Sequence, residues 1–266
     1  MRPQKLNDLK KYTALIDKYS AKGAITNNYM LPTEVTELLA DGKISECHDD
    51  NNCYLLVEKP GNVLRLYFIL NDLSTVPMLE CDKPIVSEIL FRGSVGEPKN
   101  EIKFLEKAGF FINLRRDQYS AVFQLSGNEV ISEYPHSVRD AEEAINLFNS
   151  TFDIYSGDFI PPEAAEEFLN QRSLLCAYDD NGCLVGSLHI NIIGKNAWIS
   201  HLVVKDRFRG QGVANKLMNM FIYEAKSHNV RRLMLWVQHR NEKAILLYKK
   251  YGFSYTNKST ISLIKN

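Results

Sequence analysis

The stretch Arg209-Gly-Gln-Gly-Val-Ala-Asn-Lys-Leu-Met218 follows closely on the apolar run Ile199-Ser-His-Leu-Val-Val204, and its reading decides the fold. A β-branched run that ends in a Gly-rich turn and opens into an amphipathic helix makes an anion site. Gly210 and Gly212 carry no side chain, so the backbone can approach a ligand closely. The first N–H groups of a helix have no partner inside it, and with the positive end of the helix dipole they favour phosphate. Leu217, Phe221 and Ala225 recur at helical spacing, which predicts a helix with a core-facing stripe from Ala214 onward. The same residues also fit a plain strand–turn–helix corner with solvated glycines, so the sequence downstream has to decide.

Downstream, Leu233-Met-Leu-Trp-Val237 is a wholly apolar run of strand length. Asn241-Glu-Lys-Ala-Ile-Leu-Leu-Tyr-Lys-Lys-Tyr-Gly-Phe253 reads as a helix closed by Gly252, with Lys249 and Lys250 in the last turn, where cations suit the dipole. Two motifs now stand in order. Arg209, Gly212 and Ala214 match an Arg/Gln-x-x-Gly-x-Gly/Ala loop; Asn241, Ala244, Tyr248, Gly252 and Phe253 match Asn-x-x-Ala-x-x-x-Tyr-x-x-x-Gly-Phe. With these the chain resembles the GNAT family of N-acetyltransferases, from near Tyr134 to the C-terminus. The resemblance implies the acyl-CoA N-acyltransferase fold, an α/β architecture in which helices flank a mixed, mostly antiparallel central sheet.

Composition sets the outer bounds. A chain of 266 residues has room for one large or two ordinary domains. Lys plus Arg and Asp plus Glu both number 32, so no net field draws the protein to nucleic acid or to an anionic membrane. No apolar run approaches the roughly 18 residues of a membrane span, and the Lys-rich start carries no signal-type apolar segment. The expected location is therefore cytoplasmic. Five scattered cysteines form neither a disulfide framework nor a paired zinc pattern. Cys47-His48 with Cys53 is half a metal site without nearby partners, so no metal is expected, and Cys176 and Cys183 read as buried thiols.

Along the chain, Leu6 to Tyr19 carries a helical apolar stripe, and strands are expected at Cys53–Val57, Val63–Leu70 and Ile85–Phe91. A helix from Pro98 to Gly109 and two short strands, Phe110–Leu114 and Tyr119–Gln124, close the first half. The polar stretch Leu125 to Ser132 divides the chain into residues 1–128 and 133–266. The second half then reads as helices at Val138–Asn149 and Pro161–Asn170. Strands follow at Ser173–Tyr178, Leu184–Ile193 and Ala197–Val204, then the loop helix, Leu233–Val237, the helix Glu242–Tyr251 and a final pair of short strands. Phe104-Leu-Glu-Lys-Ala-Gly-Phe110 parallels Leu247-Tyr-Lys-Lys-Tyr-Gly-Phe253. The echo suggests two such domains in tandem, or chance, because helices commonly end in Gly. A degenerate first copy has Leu105 where Tyr248 stands and no Gly-rich loop, so it is not expected to bind the cofactor.

The resemblance assigns chemistry residue by residue. It implies acetyl transfer from acetyl-coenzyme A to a primary amine on a small molecule or peptide. Backbone N–H groups of Arg209, Gly210, Gln211, Gly212, Val213 and Ala214 would wrap the diphosphate. The strand edge at Leu202, Val203 and Val204 would hold the pantetheine arm as an added strand, and a backbone N–H of that strand would polarise the thioester carbonyl. Asn241 would bond the arm from the facing helix, and it equally fits the cap of that helix. Tyr248 would protonate the departing sulfur, since a phenol with pKa near 10 is protonated at neutral pH. Its alternative reading is an amphipathic core tyrosine.

The proton acceptor is open. Many relatives carry Glu on the strand before the loop, where this chain has Ser200. His201 titrates in the useful range, but strand alternation turns it away from Ser200 and Leu202 unless a bulge intervenes. His189, His239 and a water relay are further candidates. Trp198, Tyr155 and Phe159 could line an acceptor pocket, whereas Trp236 reads as core. Three functions follow: the acetyltransferase, a longer-acyl or aminoacyl transferase of tandem type, and an acyl-coenzyme A sensor or assembly subunit without catalysis. The acceptor and the oligomeric state stay open.

Overall fold

A computed structural model describes residues 1–122, 131–156 and 159–266. Most of the stretch expected to divide the chain lies outside these residues. The chain forms two compact units: Met1–Arg115 with residues 155–157 and Ser259–Asn266, and Arg116–Ile154 with residues 158–258. The units therefore depart from a simple first-half, second-half partition in three segments. Arg116–Val122 belongs with the second unit, and residues 155–157 and the last eight residues belong with the first.

In unit 1 the chain runs β1 (Gln4–Lys5), α1 (Leu9–Tyr19), β2 (Ile25–Thr26), α2 (Pro32–Ala40), β3 (Ile44–His48), β4 (Asn52–Lys59), β5 (Val63–Leu70), β6 (Ile85–Arg92) and α3 (Lys99–Lys107). Strands follow in the order β1-β3-β4-β5-β6, and β2 pairs β5. Among the described pairings in this unit, only β5 with β6 is parallel. Alternation splits the strands between two cores: Tyr54, Leu56, Leu66 and Phe68 pack with Phe104 and Leu105 of α3, and Cys53, Leu55, Val57 and Ile69 pack with Tyr19, Val35 and Leu39. Cys47 and Cys53 lie in different cores, and burial pushes both thiols up to about 12.

The strand β7 (Phe111–Val122) is continuous, where the sequence suggested two short strands around Arg115-Arg-Asp-Gln118. The polar residues mislead because a strand paired along its length tolerates charges on an open face. Unit 2 continues with α4 (Val138–Asn149), a 3₁₀ turn Pro162–Ala164 leading into α5 (Ala165–Asn170), β8 (Leu174–Tyr178), β9 (Leu184–Ile193) and β10 (Asn196–Val204). After the turn Asp206–Phe208 come α6 (Val213–Ser227), β11 (Arg232–Gln238), α7 (Glu242–Lys250) and β12 (Ser254–Lys265). β12 is likewise one long strand rather than a pair, and only its first five residues, 254–258, belong to this unit.

In unit 2 the order is β8-β9-β10-β11 and then the second part of β7, which pairs β11 antiparallel at every residue from Arg232↔Val122 to Gln238↔Arg116. Leu217, Met218 and Phe221 of α6 pack with Tyr248 of α7 on one face. Ala141, Ile145 and Phe148 of α4 cover Leu174, Cys176 and Val203 on the other. Each fully buried large side chain contributes roughly 1.5–3 kcal/mol. Cys183 is exposed, not buried as its strand-side position suggested, because it sits in the hairpin turn before β9. Among the described residues no helix is long and apolar enough to cross a membrane.

Candidate functional site

Two strands that part create the site. β10 and β11 run parallel and pair only from Asn196↔Arg232 to Ile199↔Leu235, although β10 continues to Val204 and β11 to Gln238. The divergence coincides with a bulge on β10: the register with β9 shifts between Ile199 and His201. Ser200 is the extra residue, and an extra residue bends its strand and reverses the alternation beyond it. Ala197 and Ile199 face the α6–α7 core, as do Leu202 and Val204 after the bulge, whereas His201 and Val203 face α4. Beyond Ser200, β10 keeps β9 on one side and turns its other edge toward the gap.

The loop follows at the open end. Gly210 has φ +79° and Gly212 φ +86°, both left-handed, and no atom lies within 4 Å of where a Cβ would stand. The glycines are required by backbone conformation rather than by space. Gly212 caps α6 with no side-chain bond to the first-turn N–H groups, so the amides of Val213 and Ala214 point outward from a helix start. Arg209 braces the loop: its Nε donates to Val204 O at 3.3 Å and its Nη2 lies 2.7 Å from Asp206 Oδ1. Gln211 does the same through Arg207 O at 2.9 Å. The side chains shape the turn, and its backbone amides are the groups suited to a diphosphate.

Gly186, which sequence reading passed over, fixes where α6 sits. A Cβ there would stand 2.9 Å from Val203 O and 3.1 Å from Val213 Cγ1. The helix start therefore packs closely on β9 only because this residue has no side chain. A glycine inside a strand run is the signal that could have found it.

Asn241 takes the capping role: its side chain accepts from Ala244 N at 3.1 Å, which leaves its amide nitrogen unused by that bond. Tyr248 is buried on α7, its ring tilted against Phe253 at 5.9 Å, and burial raises the phenol to about 12. Its hydroxyl is not among the fully enclosed, unpartnered polar atoms of the described residues.

The histidines separate by face. His201 is buried beneath Phe148 and Phe152, ring centroids 5.0 Å away in each case. Its Nδ1 lies 3.2 Å from Nδ1 of His189, whose ring packs at a tilt against Phe168, centroids 4.5 Å apart. One imidazole must donate and the other accept, and burial first, then His201, lowers His189 to about 3. His201 and Tyr248 thus project from opposite faces of the sheet. His239, just past the end of β11, has Nδ1 2.7 Å from Asp117 Oδ2. Asp117 pairs across from Val237, which packs in the core that holds Tyr248, so this carboxylate shares the face of the phenol. Asp117 precedes the residues that carry the two motifs, and only the pairing of β7 with β11 brings it to His239.

Among the aromatic residues, Tyr155 packs with Val63, Val86 and Ile264 in unit 1, whereas Trp198, Trp236 and Phe159 are half-buried. No cluster of three or more metal-ligating side chains occurs among the described residues.

Known proteins bear on this geometry. Residues 141–253 match the family model of the acetyltransferase (GNAT) family. A Bacillus subtilis (strain 168) protein, provisionally assigned as a ribosomal protein bS18-alanine N-acetyltransferase, is 28% identical over 106 residues, 38% of this chain and 70% of that protein. Among solved structures, a tandem GNAT protein from the clavulanic acid biosynthesis pathway aligns over 98% of this chain and 96% of its own, with TM-score 0.58 and 11% identity. A GCN5-related N-acetyltransferase from Sphaerobacter thermophilus aligns over 89% and 86%, with TM-score 0.57 and 15% identity. The structural likenesses speak to fold, and the family model to the segment that carries the parted strands, the loop and Tyr248. Residues 141–253 thus form a domain that matches the GNAT acetyltransferase family model.

Proposed function

We propose that unit 2 transfers an acetyl group from acetyl-coenzyme A to a primary amine. The observation that carries this reading is the parting of β10 from β11 at Ser200, next to the glycine loop at the head of α6. The gap offers one unpaired strand edge to an amide-bearing arm, and the loop offers backbone N–H groups to a diphosphate. The amine attacks the thioester carbonyl, a backbone N–H of β10 beside the bulge stabilises the oxyanion, and Tyr248 protonates the leaving thiolate. A preorganised donor of that kind contributes about 3–4 kcal/mol.

For the proton lost by the amine we assign His239 with Asp117 as its positioning partner. An ionised carboxylate only accepts, so it holds the His239 proton on Nδ1 and presents the Nε2 lone pair. His201 is enclosed by phenyl rings on the other face and tied to His189. Those enclosed rings, with Ser200 at the position of the family's Glu, favour a second reading, a binder of acyl-coenzyme A without turnover. Release of free thiol from acetyl-coenzyme A in the presence of a panel of amines, against an amine-free control, separates the two. Amine-dependent release supports transfer; saturable binding with no amine-dependent release supports the binder.

A further inference from the structure

Unit 1 contains a second pair of parallel strands that part. β5 and β6 pair only at Leu64↔Ile85, Arg65↔Val86 and Leu66↔Ser87, although β5 runs on to Leu70 and β6 to Arg92. Here the wedge between them is filled by the chain itself. Ile25 and Thr26 pair antiparallel with Leu70 and Ile69, and Thr26 Oγ1 donates to Phe68 O at 2.7 Å. Asn27 follows, 2% exposed, and its carboxamide bridges both strands. Nδ2 donates to Leu66 O at 3.1 Å on β5 and to Glu88 O at 3.0 Å on β6, with Ser87 Oγ at 3.2 Å. Oδ1 accepts from Phe68 N at 2.7 Å.

These bonds answer a physical problem. Strands that part leave backbone N–H and C=O groups without their ladder partners, and burying such a group unpaired costs about 1–3 kcal/mol. A carboxamide has the donors and the acceptor to satisfy both edges at once. A pantetheine arm carries secondary amides along its length, which share the carbonyl acceptor and one of the two N–H donors of this group. The strand edge that unit 2 turns to its gap is, in unit 1, taken by a two-residue strand and an asparagine.

We propose that residues 25–28 are a built-in occupant of the unit 1 wedge, standing in for a pantetheine arm, so that each chain takes up one coenzyme A, in unit 2 alone. The assignment of the ligand in unit 2 rests on the function proposed above; the occupancy of the unit 1 wedge does not. What remains at the outer end of the wedge is a cavity of about 290 Å³ bordered by Thr26, Tyr29, Phe68, Pro98 and Glu101. That is just under the range of pockets that enclose drug-sized ligands, and far from the space a whole coenzyme needs.

Amide hydrogen exchange on the full chain, with and without coenzyme A, tests this at Phe68. Expected is strong protection of the Phe68 amide without ligand, unchanged by saturating coenzyme A. Free exchange of that amide, or protection that appears only with coenzyme A, would overturn the proposal. Asn27→Ala should speed Phe68 exchange about tenfold or more while the β4 amides keep their protection; an unchanged rate would also overturn it. Should the variant fail to fold, the wild-type pair of measurements still decides. Calorimetry adds the stoichiometry: one site, abolished by Gly212→Asp, is expected. A second site that survives Gly212→Asp would sink the proposal. If no coenzyme A binds while Phe68 stays protected, the function of unit 2 fails and the occupant of unit 1 stands.

Discussion

Asp117 Oδ2 lies 2.7 Å from His239 Nδ1, a contact between residues 122 positions apart that joins the end of β11 to the middle of β7. If this pair takes the proton from the amine, His239→Gln should lower kcat/KM by roughly 10²–10⁴-fold at neutral pH. Asp117→Asn should cost less, because the amide can still hydrogen-bond the imidazole but no longer fixes the proton on Nδ1. Wild-type rates in His239→Gln across the pH range would move the role to water or to the other face.

The pairing of β7 with β11 decides where the chain can be cut. A fragment beginning at Glu133 loses the antiparallel partner of β11 from Arg232 to Gln238 together with Asp117. At about 1 kcal/mol net per hydrogen bond, that is several kcal/mol out of a typical total of 5–15, plus an exposed strand edge prone to association. A fragment beginning at Arg116 keeps the ladder. Urea denaturation and size-exclusion chromatography should show the shorter fragment less stable and aggregated, the longer one closer to the full chain.

What the sequence disclosed followed the range of the interactions. The loop from Arg209 to Ala214, the helices around Leu217 and Tyr248, and the strands Val63–Leu70 and Leu184–Ile193 are set by glycine conformation and by apolar spacing within a few residues. The helix Pro32–Ala40 was missed, since Pro, two Thr and two Glu among its nine residues blur its short stripe. The bulge at Ser200 depends on β9 and β11 together, so alternation alone left the facing of His201 open. Asp117 and Asn27 act through partners far along the chain, and no local pattern marks them.

The pair His189–His201 gives stability a pH dependence. Burial lowers His189 in the folded state to about 3, against an ordinary value near 6.5, so between those values the unfolded chain binds the extra proton. Stability is therefore complete above about pH 6.5 and falls as the pH drops toward 3, by at most about 1.4 kcal/mol per unit from this group. His189→Gln should flatten that slope in denaturation midpoints measured from pH 7 to 4. An equal slope in the variant would place the dependence on other groups.

The loop glycines differ in what they lose. Gly210→Ala puts a Cβ on a residue at φ +79°, a cost of about 1–2 kcal/mol that falls on the loop and should weaken coenzyme A binding about tenfold. Gly212→Asp adds a carboxylate against the diphosphate, several kcal/mol of like-charge contact, and should weaken binding by roughly 10²-fold or more. Calorimetric dissociation constants unchanged in both variants would remove the diphosphate from this loop.

Tyr248→Phe deletes one hydroxyl and keeps the ring that packs against Phe253. Cofactor affinity should therefore stay near wild type, while kcat falls on the order of 10²–10⁴-fold if the phenol protonates the departing sulfur. Burial raises this phenol to about 12, so it remains protonated across the range in which the protein can be assayed. A decline in rate between pH 8 and 10 then comes from another group and should persist in the variant. The proton also becomes harder to give up, so a leaving thiolate of lower basicity should narrow the gap between variant and wild type. Acyl donors with thiols of graded acidity test this directly. Equal turnover of variant and wild type with the most basic thiol, under conditions where chemistry limits the rate, would make Tyr248 a packing residue of the α6–α7 core.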